Sequence, residues 1–183
     1  MNKLLLTAAI ITLMAACDQK TENVSSDSTN SDSTAVGTSI SDEDKEERNK
    51  KTALASVKAI ETGNIDSVLK DVTDDAIDYG DGTGPSINNK DSLNVVIKSF
   101  NTAFPDWKGE HFMAAADGDY VYVYGDWSGT FKNDYMGMKA TGKKLKVKDV
   151  DIFKFNDKGQ IVEHRSIQNW SSMMSQAGGK TPK

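Results

Sequence analysis

The chain has 183 residues, with 22 Lys and Arg against 27 Asp and Glu, and a net charge of −5. That mildly acidic balance offers no basic surface and argues against nucleic acid as a partner. A single cysteine, Cys17, excludes an internal disulfide. The chain opens "MNKLLLTAAIITLMAAC", in which a basic start at Lys3 leads into an apolar run and then small residues before Cys17. This is secretory signal architecture, and the run is too short to read as a spanning helix.

The end of that stretch, "LMAAC", resembles the lipobox of bacterial lipoproteins, although Met14 is an uncommon occupant of its position. The resemblance implies removal of residues 1–16 and attachment of lipid to Cys17. The protein would then sit in the bacterial cell envelope, anchored to a membrane and facing outside the cytoplasm. An ordinary secretory signal with an incidental Cys17 is the alternative. Residues 17–43 are rich in Ser, Thr, Asp and Asn and nearly free of large apolar groups, so they bury too little to offset the entropy of ordering. They read as a solvated tether ahead of a domain at 44–178, with a short tail at 179–183.

In "DEDKEERNKKTALASVKAIETGN" the acids come early, Ala53, Val57 and Ile60 recur at helical spacing, and Gly63 supplies a stop. "NIDSVLKDVTDD" predicts a shorter second helix, with Val68, Leu69 and Val72 on one side, feeding a turn at "AIDYGDGTGP". The glycines there lack the strand, helix and lysine of a phosphate-binding loop. A third helix runs through "NKDSLNVVIKSFNTAF", where Leu93, Val96, Ile97, Phe100 and Phe104 form a stripe that Pro105 closes. Beyond Pro105 the period becomes alternating. "EHFMAAA", "DYVYVYGDWSGTF", "KKLKVKDVDIFKF" and "QIVEHRSIQNW" are four strands, and their short connections require antiparallel neighbours. Helices first and a meandering sheet after them make an α+β domain, with one sheet face covered by the helices.

The pieces "FPDWKGE", "GTF" followed by "GMKATGK", "VDIFKFNDKGQIVEH" and the closing "SQAG" resemble, in their order and spacing, the SnoaL-like polyketide and ester cyclases of the nuclear transport factor 2-like superfamily. The resemblance runs from about Lys50 to Gly178. It implies a cone-shaped fold of three helices and a bent antiparallel sheet, often dimeric, with a mostly apolar pocket for a small molecule, no metal and no organic cofactor. The family commonly reads Glu-x-Trp and, four residues on, Asp. This chain has Glu163, then Arg165 in place of the Trp and Asn169 in place of the Asp, and Ala140 where the family has Pro. An acid of this region is the family's general base, and Asn169 cannot take up a proton.

The candidate site follows from strand parity. Asp149 and Asp151 share a face with Leu145, Val147, Phe153 and Phe155, and a carboxylate among apolar groups is either a poised base or half of an ion pair. Asp151 or Glu163 is the expected base and Arg165 the expected partner, whose pairing with either acid would instead leave a static polar floor. Asn169, His111 and Tyr79 are the expected hydrogen-bonding groups of the pocket. His164 alternates with Glu163, is expected to face outward with Val162 and Ser166, and is left out of the site. Two functions remain: cyclase- or isomerase-type proton transfer on a small, largely apolar molecule, or a non-catalytic binding or assembly module of the same fold.

Overall fold

The computed structural model describes residues 41–178; the expected signal segment, Cys17, the tether to residue 40 and the tail 179–183 lie outside them. Helix α1 (Asp42–Ala59) starts where the Ser41 hydroxyl accepts the Asp44 N–H at 3.1 Å, and Asp42, Glu43 and Asp44 sit at its positive end. Asn49, Ala53 and the pair Ser56–Val57 follow one another at three or four residues and form its buried edge. A 3₁₀ turn, Ile60–Thr62, ends at Gly63, whose φ of 65° suits glycine. None of the described helices is long and apolar enough to cross a membrane.

The second helix is shorter than expected. α2 (Ile65–Val68) is one turn capped by Asn64, and the chain from Val72 to Asp78 is a strand, β1. Neighbouring β-branched residues, Val72 and Thr73, favour the extended state, and β5 supplies partners for the backbone. Helix α3 (Lys90–Ala103) begins at Asn89, whose side chain accepts the Ser92 N–H at 2.7 Å. Four of the five expected stripe residues pack inward as the core or against it; Val96, 39% exposed, borders a hollow instead.

Strands β2 (Lys108–Asp117), β3 (Tyr120–Thr130), β4 (Lys144–Phe155) and β5 (Ile161–Ser166) pair antiparallel in sequence, as expected. β1 then adds parallel to β5, so the sheet is mixed, with the order β1-β5-β4-β3-β2. The last expected strand stops at Ser166, and Asn169 caps a short helix, α4 (Trp170–Gln176). α1 lies across β2 and β3, α3 against β1, and α4 against β4.

The inner sheet face alternates large residues with glycines. Leu145 stands opposite Gly129, Asp149 opposite Gly125, and Phe153 opposite Val121. The glycines make room for rings: a Cβ on Gly129 would lie 2.5 Å from Trp107 Cε3, and one on Gly109 2.3 Å from Phe112 Cζ. Trp107 and Trp127 can therefore stack, 5.8 Å apart with planes 13° apart, while Phe104 stacks on Phe131 at 5.3 Å. Replacing Gly129 with alanine is expected to cost about 1–3 kcal/mol by overpacking. Urea unfolding checks this, and an unchanged midpoint would mean that the Trp107 ring yields freely.

Candidate functional site

A bulge decides which residues of β5 face the hollow. Phe155 pairs with Ile161 but Lys154 pairs with Glu163, so Val162 is an extra residue on β5. The insertion resets the alternation: Ile161 and His164 share the inner face with Phe153 and Asp151, while Glu163 and Arg165 turn to the other. The outward placement expected for His164 is thereby corrected.

His164 is the hub of a carboxylate–imidazole–carboxylate cluster. Its Nδ1 lies 3.1 Å from Asp78 Oδ2 and its Nε2 3.1 Å from Asp151 Oδ1, and its side chain is 26% exposed. The parallel strand brings Asp78 there, because Asp78 registers opposite His164 and the Tyr79 N–H donates to the His164 carbonyl at 2.9 Å. Asp151 comes from β4 and is 11% exposed. Burial by itself would lower the imidazole; hydrogen bonds and charges from the two carboxylates outweigh it and push His164 up to about 10. His164 is thus an imidazolium at neutral pH, donating through both nitrogens. Burial also works to raise Asp78, but the bond and charge of His164 and the N–H of Gly80 hold it below the usual carboxylate range. For Asp151 burial wins, aided by the charges of Asp149 and Asp78, and its carboxyl is held above that range despite His164.

The cluster stands between two hollows that share Asp78, Asp151 and His164. The inner one, about 110 Å³, is walled mainly by apolar side chains, among them Leu69, Leu93, Phe153 and Ile161. The outer one, about 420 Å³, is a mouth walled by Phe100, Trp107, Trp127, Tyr135 and Trp170. Gln168 also borders the mouth; its Nε2 is buried and has no partner among the described residues. Asp149 fixes the approach to it, accepting the Gln168 N–H at 2.9 Å and the Ser166 hydroxyl at 2.7 Å. Burial raises the Tyr135 hydroxyl, which keeps it a donor at neutral pH.

Of the expected site residues, the structure brings Asp151 and Tyr79 to the mouth. Glu163 and Arg165 do pair, at 3.0 Å, and Lys154 joins Glu163 at 3.1 Å, but this network is outside both hollows. The partner of Asp151 is His164 rather than Arg165, whose guanidinium instead lies 4.6 Å from the Tyr79 ring centre. Asn169 is exposed and spends its side-chain oxygen on the Ser172 N–H at 2.9 Å, capping α4. His111 is 75% exposed and bonded to Asp126, at a second bulge where its φ is 55°. It and Met113 face away from the hollows, so the inward placement considered for His111 fails.

His164, Asp78 and Gln168 are the residues that strand parity missed. The signal for His164 was the adjacent apolar pair Ile161–Val162, which strict alternation cannot place and a bulge can. Asp78 had no such mark, since its strand forms only against β5.

Residues 50–177 match the model of the SnoaL-like polyketide cyclase family. Among solved structures, the chain is similar to a candidate SnoaL-like polyketide cyclase from Jannaschia sp. CCS1, at 18% identity and a TM-score of 0.67, covering 75% of this chain and 95% of that one. It is also similar to AclR, a candidate hydroxylase from Streptomyces galilaeus, at 23% identity and a TM-score of 0.61, covering 72% and 96%. A third likeness, at 13% identity and a TM-score of 0.59, covering 70% and 92%, is to a protein with a ketosteroid isomerase-like fold from Catenulispora acidiphila, solved in complex with trimethylamine. No curated protein matches the chain. At these identities the solved structures show the fold alone. The family match spans well over half of the sequence, and the chain belongs to the SnoaL-like polyketide cyclase family.

Proposed function

We propose that this protein is a cofactor-independent cyclase or isomerase of the cell envelope, held to a membrane by lipid on Cys17, that moves a proton on a small, largely apolar molecule. The observation that carries the reading is Asp151: a carboxylate with one oxygen held by His164, buried at the junction of two hollows, with its carboxyl raised by burial. Such a group is a better base than an aspartate in water, and closer to neutral pH. It takes a proton from a carbon beside a carbonyl, and the electron pair moves to the carbonyl oxygen. The enolate carbon then attacks a second carbonyl carbon of the same molecule, whose π pair moves to its oxygen and takes back the proton from Asp151, or the proton returns from Asp151 to another position of the enolate. Gln168 Nε2 and the Tyr135 hydroxyl are the donors available for the developing oxyanion. The imidazolium of His164 fixes Asp151 and offsets part of its charge.

A non-catalytic binding module is the second reading, favoured by Asn169, which stands where the family has an acid and is committed to capping a helix. The two separate in deuterium oxide. Whatever copurifies with the protein is returned to it there and followed by mass spectrometry. Deuterium uptake or rearrangement is expected; retention with neither would overturn the enzyme reading and leave the module.

A further inference from the structure

The mouth holds more negative charge than it neutralises. Asp78, Asp81 and Asp151 all border it, and among the described residues His164 is the only cation that does. Asp78 and Asp151 share that one imidazolium, whereas Asp81 is held by neutral donors alone: the Thr83 N–H and hydroxyl at 3.0 and 2.6 Å, and the Trp170 N–H at 3.0 Å. Those bonds overcome burial and keep Asp81 below the usual carboxylate range, so it is charged at neutral pH. Even with Asp151 protonated, two carboxylates face one imidazolium.

The same hollow is lined by aromatic rings. Phe100 lies edge-on to Trp107 at 5.1 Å, Trp107 stacks on Trp127, and Tyr135 meets Trp170 at 5.3 Å with planes 62° apart. Rings of this protein already carry cations: Arg165 on Tyr79 at the edge of the mouth, and, away from it, Lys58 on Phe112 and Lys154 on Tyr120. Among the described residues no lysine or arginine lines the mouth, and none lies over its Phe100, Trp107, Trp127, Tyr135 or Trp170 rings. An electron-rich wall facing unneutralised carboxylates attracts a positive charge with an apolar shell, which loses little hydration on entering. A bare ammonium or a metal ion would forfeit more water than this wall returns, and an anion would meet the charge of Asp81.

We propose that the mouth binds a small organic ammonium ion, one whose nitrogen carries alkyl groups, with the charge against the aromatic wall and the acids. This rests on the pocket reading above and names the class of its ligand: the substrate or a bound effector carries an alkylated amine. The ammonium sits on the Asp81 and Trp170 side, away from the His164 imidazolium, leaving Asp151 free toward the rest of the molecule.

The test uses choline and its neutral carbon isostere, 3,3-dimethyl-1-butanol, titrated into the purified protein and read by tryptophan fluorescence and calorimetry. Choline is expected to bind at least tenfold more tightly than the isostere, and its affinity to fall as salt is raised. A Trp170→Leu variant, confirmed folded by circular dichroism, is expected to weaken choline severalfold while changing the isostere little. Equal binding of the two probes would overturn the cation assignment and leave an apolar pocket standing. Binding of neither at millimolar concentration would also overturn it, while deuterium exchange on the copurified ligand tests the proton-transfer reading by itself.

Discussion

Replacing His164 with leucine is expected to lower stability by about 3 kcal/mol at pH 7, the low end of the range for removing one partner from a buried charge cluster because its side chain is 26% exposed. The loss comes from what remains: Asp78 and Asp151, both mostly buried, would face a leucine and each other. The pH dependence has a definite sign. His164 is raised from 6.5 to about 10 on folding, so its stabilisation is fully present below pH 6.5 and is lost as pH rises toward 10. Asp78, lowered on folding, contributes stability above pH 3.8 that is lost as pH falls through its depressed value. Asp151 works the other way: its raised value favours the fold at low pH, and that advantage fades as pH climbs past 3.8. The gap between wild type and His164→Leu is therefore widest at about pH 5.5 to 6.5, while the carboxylates are still charged, and closes toward pH 10. Urea unfolding at pH 5.5, 7 and 9.5 measures it, and a gap that stays constant or widens to pH 9.5 would rule out a charged His164.

Asp151→Asn is expected to lower turnover of the captured ligand by roughly 10²- to 10⁴-fold, the usual share of a positioned general base. Asparagine keeps the shape and still accepts a hydrogen bond, but it cannot take a proton. Binding should persist, so kcat falls while ligand affinity holds. Glu163→Gln should leave the rate unchanged, because Glu163 belongs to the outer network with Lys154 and Arg165. A rate loss in Glu163→Gln with Asp151→Asn unaffected would place the chemistry on the wrong face of the sheet.

The contrast between these two acids shows how far local pattern reaches. Both lie in strands that the alternation of apolar and polar residues identifies, and Asp151 sits in "KVKDVDIFKF", where that alternation runs unbroken along β4. Parity placed Asp151 inside. It misplaced Glu163, Arg165 and His164 together, because the one-residue bulge at Val162 inverts every position after it. For His111, expected in the pocket and found 75% exposed, alternation does not say which face meets the helices.

β1 was hidden for a different reason. Val72 to Asp78 interrupts its three β-branched residues with acids, too weak a pattern to announce a strand, and its hydrogen bonds come from β5, some ninety residues later in the chain. Without that parallel strand Asp78 has no place beside His164. Asn169 illustrates the converse: its identity removes a base from the family's position, yet its job as the cap of α4 emerges only once the chain turns after Ser166.

What the sequence by itself determined is therefore whatever depends on neighbours within a turn or a strand: the stop at Gly63, the helical stripes, the four late strands, the α+β class and the family. Only the tertiary structure decided which faces look inward and which distant residues meet, namely Asp78, Asp151 and His164 from three strands around one hollow. The physical reason is that side-chain direction in a sheet is set by register, and register is fixed by long-range backbone pairing that a single inserted residue can reverse.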